Sequence, residues 1–285
     1  MLGRPTQDVG SSSLAARIAS KAARFLARNI RSKGLVLRNM VPIVTFTFDD
    51  VPTSACDTGA SVLEKYDARG TFYVAGRGCG RPGSGGPPLA SIDQLRTVWR
   101  NGHEIGCHTY SHPAVSRISL DQLRVELECN KRTLWEIDQT IDVRNFAYPH
   151  GDLTLRTKRY LEARFDSCRC VYRGINRGIV DLGSLKAWPL ESASIDRAKI
   201  AELIARTVDS NGWLIFCSHD VAERPGKYGV SPDLLQWAVD SAATNGCVLA
   251  TVANALKLIA AGQTWNDHSP PKMPTAGSSL VARER

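Results

Sequence analysis

The sequence predicts an α/β fold, a (β/α) barrel with seven or eight mostly parallel strands, and three observations lead there. Short β-branched or aromatic runs alternate with segments of helical period, the pattern of parallel strands joined by crossovers. A length of 285 residues suits one large domain, for which an α/β barrel of about 250 residues is a common solution. Finally, the unusual polar residues fall just after strand runs: Asp49 and Asp50, His108 and His112, Pro149 and His150, Glu191, and His219. In a barrel the C-terminal strand ends converge on one mouth, so these residues would share a site; an open doubly wound sheet is the competing arrangement.

The first strand is "IVTFTF", residues 43–48. A helix from about Thr58 to Arg69 follows and stops at Gly70, and "TFYVA" is the next strand. Ser91 opens "SIDQLRTVWRNG" with the S-x-x-Q of a capping box, and Gly102 closes it. "HEIGC" is a strand, after which Ser119 repeats the S-x-x-Q signal; Leu120, Leu123, Leu127, Leu134 and Ile137 trace the buried stripe of a long helix. "NFAYP" precedes a helix from about Leu153, the strands "SCRCVY" and "LKAWPL" come next, and a helix follows Ser194. After the strand "WLIFCS", Ser231 and Pro232 supply an N-cap and a first-turn proline. "CVLAT" and a last helix complete the body.

Three regions follow from this reading: a basic amphipathic segment over 1–40, the barrel domain over 41–261, and a Pro-, Ser- and Gly-rich tail over 262–285, predicted to be disordered. Within the first, Leu14, Ile18, Ala22, Phe25, Leu26 and Ile30 recur at helical spacing with cations between them. A helix packed on the domain and a peripheral membrane contact both fit that pattern. Of the formal net charge of +8, +7 lies in residues 1–40, where eight Lys and Arg meet one Asp. The near-neutral remainder argues against an extended phosphate-binding face, and so against a nucleic-acid partner. No run of about 18 apolar residues is present, which excludes a spanning helix. The N-terminus also lacks the apolar region and cleavage site of a secretory signal, so the expectation is a cytoplasmic protein, at the inner face of a membrane if the basic helix touches lipid. The eight cysteines are scattered, several within strand-like runs, and read as reduced, mostly buried thiols.

Two adjacent acids after a buried strand each disfavour ionisation of the other. A divalent cation on Asp50 offsets that repulsion and leaves Asp49 as a carboxylate available for general-base work. His108 and His112 form an H-x-x-x-H, and Pro113 disfavours helical backbone at His112, so the pair belongs to a turn after its strand. Two imidazoles and a carboxylate make the three protein ligands of an open zinc site. His219, at another strand end, would face the same mouth, where a leaving amine needs a proton. A two-His, one-carboxylate set also serves non-haem iron oxygenases, and surface histidines with turn-forming aspartates are the structural alternative.

Together these residues resemble the polysaccharide deacetylases, the NodB-type domain of carbohydrate esterase family four, over about residues 43–260. The family's first motif, T-F-D-D, appears as Thr47, Phe48, Asp49 and Asp50; its second, H-[S/T]-x-x-H, as His108, Thr109, Tyr110, Ser111 and His112. "FAYPHG" looks like the third motif and "WLIFCSHD" like the fifth. The resemblance implies a distorted barrel, Asp49 as catalytic base, His219 as catalytic acid, and Asp50, His108 and His112 as ligands of a divalent metal, most often zinc. It also implies substrate and oxyanion contacts from Tyr148, Pro149 and His150, the last through its backbone N–H. The activity implied is metal-dependent hydrolytic N-deacetylation of an N-acetylated sugar, in an oligo- or polysaccharide or a glycan precursor. Two positions depart from the pattern. Where many members carry an Arg that pairs with the base, this chain has Ala147, and Arg144 is the candidate substitute. The fourth motif is loose in "LKAWPLES", with Trp188 as a candidate groove wall and Glu191 as a candidate partner orienting His219. These departures keep open glycan binding without catalysis, and the same metal frame would also suit hydrolysis of another amide such as a small cyclic ureide.

Overall fold

The acidic pair ends the strand around which the fold is arranged. A computed structural model describes residues 23–37, 39, 41–81 and 86–261. Its strands are β1 (Gly34–Val36), β2 (Ile43–Asp49), β3 (Thr71–Val74), β4 (Glu104–Cys107), β5 (Asn145–Ala147), β6 (Ser167–Arg169), β7 (Ile179–Asp181), β8 (Trp188–Pro189), β9 (Trp213–Ser218) and β10 (Val248–Leu249). The helices are α1 (residues 23–29), α2 (Ala60–Glu64), α3 (Ile92–Arg100), α4 (Leu120–Ile137), α5 (Leu155–Glu162), α6 (Arg197–Asp209), α7 (Pro232–Thr244) and α8 (Val252–Ala261). One parallel sheet runs β6-β5-β4-β3-β2-β9-β8, with β10 beside the start of β2. A parallel bridge between Arg169 and Leu185 joins the β6 edge to the chain leading into β8, so the sheet curls around an interior as a distorted barrel. Outside it, β1 and β7 pair antiparallel, an element absent from the sequence expectation.

All seven residues of β2 are buried, which hides a period of two. Val44, Phe46 and Phe48 pack outward with Leu63, Leu203 and Leu235 beneath the helices. Thr45, Thr47 and Asp49 therefore share the inner face. Their polar atoms are met inside the sheet: Trp213 Nε1 donates to Thr45 Oγ1 at 2.9 Å, and Thr47 Oγ1 donates to the Phe216 carbonyl at 2.9 Å. Lower in the interior, Glu104 accepts from Thr71 Oγ1 at 2.9 Å and Asn145 Nδ2 at 2.5 Å, while Ser167 Oγ donates to Asn145 Oδ1 at 2.7 Å. This closed polar floor leaves the upper strand ends as the place for chemistry.

Ser91 with Gln94 and Ser119 with Gln122 form the expected capping boxes of α3 and α4. Other boundaries moved. The helix expected from Thr58 starts earlier, as a wide π-type turn over Ala55–Gly59 running into α2. "LKAWPL" forms a regular strand only over Trp188 and Pro189, with Leu185 bridging to Arg169 and the Leu190 N–H donating to the Cys217 carbonyl at 2.8 Å.

The described part of the N-terminal segment packs on the body. Lys158 Nζ, fully buried, donates to the carbonyls of Ala27 and Ile30 and pairs with Asp181. Arg28 lies 3.9 Å over the Tyr172 ring. Phe25, Leu26 and Ile30 stay outside, 66%, 50% and 36% exposed. Leu14, Ile18 and Ala22, and the tail expected over 262–285, lie outside the described residues.

Candidate active site

The chain leaves β2 through a left-handed turn that separates the two acids. Asp50 has φ 58° and Val51 φ 53°. A β-branched residue in that region is costly, of order 1–3 kcal/mol, and such strain clusters at functional sites. Thr109, His112 and His150, at φ 62°, 59° and 58°, carry the same conformation around the same mouth. Asp49 keeps the inward direction of its strand and pairs with Arg169, whose Nη2 donates to Asp49 Oδ1. Burial alone would raise the Asp49 carboxyl; the Arg169 guanidinium, with smaller help from His108 and His219, holds it below the usual carboxylate range.

Asp50 turns toward the two histidines. His112 Nε2 is 3.4 Å and His108 Nε2 3.8 Å from Asp50 Oδ1, and the two Nε2 atoms are 3.2 Å apart. Ligands at 2.0–2.1 Å from a tetrahedral ion lie about 3.3–3.4 Å from one another, so this set fits an ion of zinc's size. His108 Nδ1 bonds the Ala147 carbonyl at 2.8 Å, which makes it the protonated nitrogen and leaves Nε2 as the ligand atom. Burial pushes both imidazoles down to about 4, with the neighbouring His150 adding to the effect on His112, so both are neutral near pH 7. Pro113 has the predicted effect, and the loop is a turn rather than a helix. Glu126 of α4 fastens that loop, accepting the Tyr110 N–H at 3.0 Å, the Ser111 N–H at 2.7 Å and the Ser111 hydroxyl at 2.6 Å.

His219 continues the inner parity of β9 past Cys217, and its Nε2 lies 3.9 Å from Asp50 Oδ2. His150 follows Pro149 in a tight turn, its ring edge-on to His112 with centroids 4.4 Å apart. Asp50, His112, His150 and His219 line one cleft of about 920 Å³, walled by Tyr110 and Tyr228. Asp49 and His108 lie beneath this floor, 4% and 2% exposed.

Five expected residues stand outside the cleft. Arg144 is at the other end of β5 from Ala147, half-exposed, with Nε donating to Asp166 at 2.7 Å; it does not serve Asp49. Trp188 faces the helix-side core, between Arg173 at 5.5 Å and Lys199 at 5.2 Å, so it is no groove wall. Glu191 accepts from Ser194 Oγ at 2.9 Å, while His219 Nδ1 is buried with no partner among the described residues. Tyr148 is buried beneath the site, donating to the Gly183 carbonyl at 2.9 Å, and Pro149 is buried beside it. Sequence reading missed Arg169 and Glu126. For Arg169 a signal was present, a lone cation in the strand "SCRCVY", on the same face as Ser167 and out of phase with Cys168 and Cys170.

Known proteins share the motifs and the fold of this chain. The polysaccharide deacetylase family description matches residues 38–164, a stretch that holds the acid pair, the histidine pair and the third motif. A chitin deacetylase from Colletotrichum lindemuthianum is 25% identical over 261 residues, covering 87% of this chain and 93% of that protein. Its solved structure superposes with a TM-score of 0.54 at 20% identity, over 77% of this chain and 90% of that one. A variant of a peptidoglycan deacetylase from Bacillus subtilis gives a TM-score of 0.53 at 15% identity, covering 77% and 92% of the two chains. A carbohydrate esterase family four pseudoenzyme from Bacillus anthracis also gives 0.53 at 15% identity, covering 76% and 66%. Residues 38–164 thus match the polysaccharide deacetylase family, and the chain shares with its relatives the motifs and the curled parallel sheet of the NodB-type domain of carbohydrate esterase family four.

Proposed function

We propose that this protein removes the acetyl group from an N-acetylated sugar by metal-dependent hydrolysis. The observation that carries the reading is the convergence of a paired carboxylate, Asp49, a three-atom ligand set and His219 below and around one cleft. A divalent cation such as zinc, held by Asp50, His108 and His112, would polarise the acetyl oxygen and acidify a water. Asp49, kept ionised by its guanidinium partner, accepts the proton of the attacking water. The backbone N–H of His150 donates to the developing oxyanion. His219 Nε2 gives its proton to the departing sugar amine, and acetate and a free amino sugar result. The relatives named as chitin and peptidoglycan deacetylases support a polymeric or oligomeric substrate.

Acetate release from oligomers of N-acetylglucosamine, with and without added zinc, tests the reading. Asp49→Asn is expected to keep the metal and to lower kcat by about 10²–10⁴-fold. Undiminished turnover in that variant rejects the base assignment. Hydrolysis of cyclic ureides but not of acetylated sugars would favour the amidohydrolase alternative. Glycan binding without acetate release at full zinc occupancy would favour a binding protein.

The setting is part of the same proposal. Among the described residues no helix is long and apolar enough to cross a membrane. All eight cysteines are free, in keeping with a cytoplasmic location. Exposed Phe25, Leu26 and Ile30 beside a basic segment suit the surface of an anionic bilayer. Phe25→Glu with Leu26→Glu should abolish co-sedimentation with phosphatidylserine vesicles and leave turnover on soluble oligomers unchanged; undisturbed sedimentation counts against the contact.

A further inference from the structure

We propose that Arg169 is the positioning residue of Asp49, supplying from β6 the cation that the motif on β5 lacks at Ala147. The inference rests on the deacetylase reading. Ala147 and Arg169 are register partners on adjacent parallel strands. Both point into the barrel, because Phe146 and Cys168 between and beside them face the outer core. Adjacent strands are about 4.8 Å apart, a shift that the long side chain of Arg spans.

The interior is shaped for this crossing. Tyr73 lies level with Asp49 on one side and with Gly106 on the other. A Cβ at Gly106 would sit 2.5 Å from the Tyr73 ring, so the ring occupies the space that a side chain there would need. Ala147 adds only a methyl group. The Arg169 guanidinium lies in the room left by these two small residues, 5.0 Å from the Tyr73 ring centroid.

Its charge has one destination. The Arg169 side chain is 0% exposed, and Asp49 is its anionic partner among the described residues. Of the other titratable groups facing it, burial raises the Tyr73 hydroxyl and pushes the Cys217 and Cys170 thiols up to about 12 and about 11, so all three are neutral near pH 7. Nε and Nη1 have no partner among the described residues, so no second carboxylate shares the cation. Asp49 Oδ1 is engaged, and Oδ2 carries no protein bond among those described, which leaves it to receive a proton. A buried ion pair adds little net stability after desolvation, so folding alone gives weak reason to place this pair beneath a cleft.

The test is a double-mutant cycle on the zinc-loaded full chain, with acetate release from N-acetylglucosamine oligomers as the assay. Arg169→Met is expected to lower kcat on the order of 10²-fold with KM within about twofold, and Arg169→Lys to lose less. Because Arg169 acts through Asp49, the pair Asp49→Asn with Arg169→Met should be no slower than Asp49→Asn alone. That double variant also replaces the ion pair by two neutral groups, which keeps the barrel free of an unpaired buried charge. Zinc bound per chain should equal that of the unaltered protein in every variant. Unchanged kcat in Arg169→Met, losses that multiply in the cycle, or loss of zinc from Arg169→Met each overturn the assignment while the deacetylase reading stands. Absence of acetate release by the unaltered, zinc-loaded protein overturns both.

Discussion

Asp49 and Asp50 are neighbours in sequence with opposite surroundings, one beneath the cleft against a guanidinium, the other turned by a left-handed backbone toward two imidazoles. Their adjacency is tolerable because each negative charge has its own partner. The histidines make a separate statement about pH. Burial holds His108 and His112 at about 4 in the folded chain, against about 6.5 when unfolded. Between those values the unfolded chain binds protons that the folded chain refuses, so unfolding free energy rises with pH across the window. The metal-free protein should therefore lose thermal stability as pH falls from about 6.5 toward 4, and His112→Asn should make that decline shallower. Calorimetry in EDTA reads both, and an equal slope in the variant would show that His112 titrates as in water. The five candidate residues were legible because each lies at or shortly after a strand end beside an apolar run. Arg169 offered only its inward parity as a signal, since its meaning depends on a partner 120 positions away.

At the scale of elements, the candidate ligand loop is held in three ways. Strand β4 delivers His108, the Ala147 carbonyl of β5 fixes its tautomer, and Glu126 reaches from α4 to hold the backbone of Tyr110 and Ser111. Asn130, one turn further along α4, accepts the Gly76 N–H at 2.8 Å and donates to the Val74 carbonyl at 3.0 Å, which locks the helix to the end of β3. Outer partners of metal ligands commonly govern affinity. Glu126→Ala should weaken zinc binding by about 10–100-fold in a competition titration, and an affinity within twofold of the unaltered protein would remove Glu126 from the account. Capping boxes announced α3 and α4 because their signals are local. The lengths of β6 and β8 were less legible, since pairing across the sheet decides where a strand ends.

For the whole molecule, alternation of strands and helices was enough to predict a parallel barrel with its polar residues at one mouth. Closure was not predictable: it comes from a bridge at Arg169 and Leu185, residues that local pattern marks only as strand. Docking of the N-terminal segment was one of its two expected settings, and the contact that makes it, buried Lys158 meeting two carbonyls and Asp181, is not written in local pattern. The central claim is that distant strand ends build one metal-dependent hydrolytic centre. Its most direct test is diffraction at the zinc absorption edge from crystals grown with one equivalent of zinc. The account predicts a single anomalous peak bonded to Asp50, His108 Nε2 and His112 Nε2 at about 2.0–2.2 Å. A peak on other side chains, or none at that triad with zinc in excess, would contradict it.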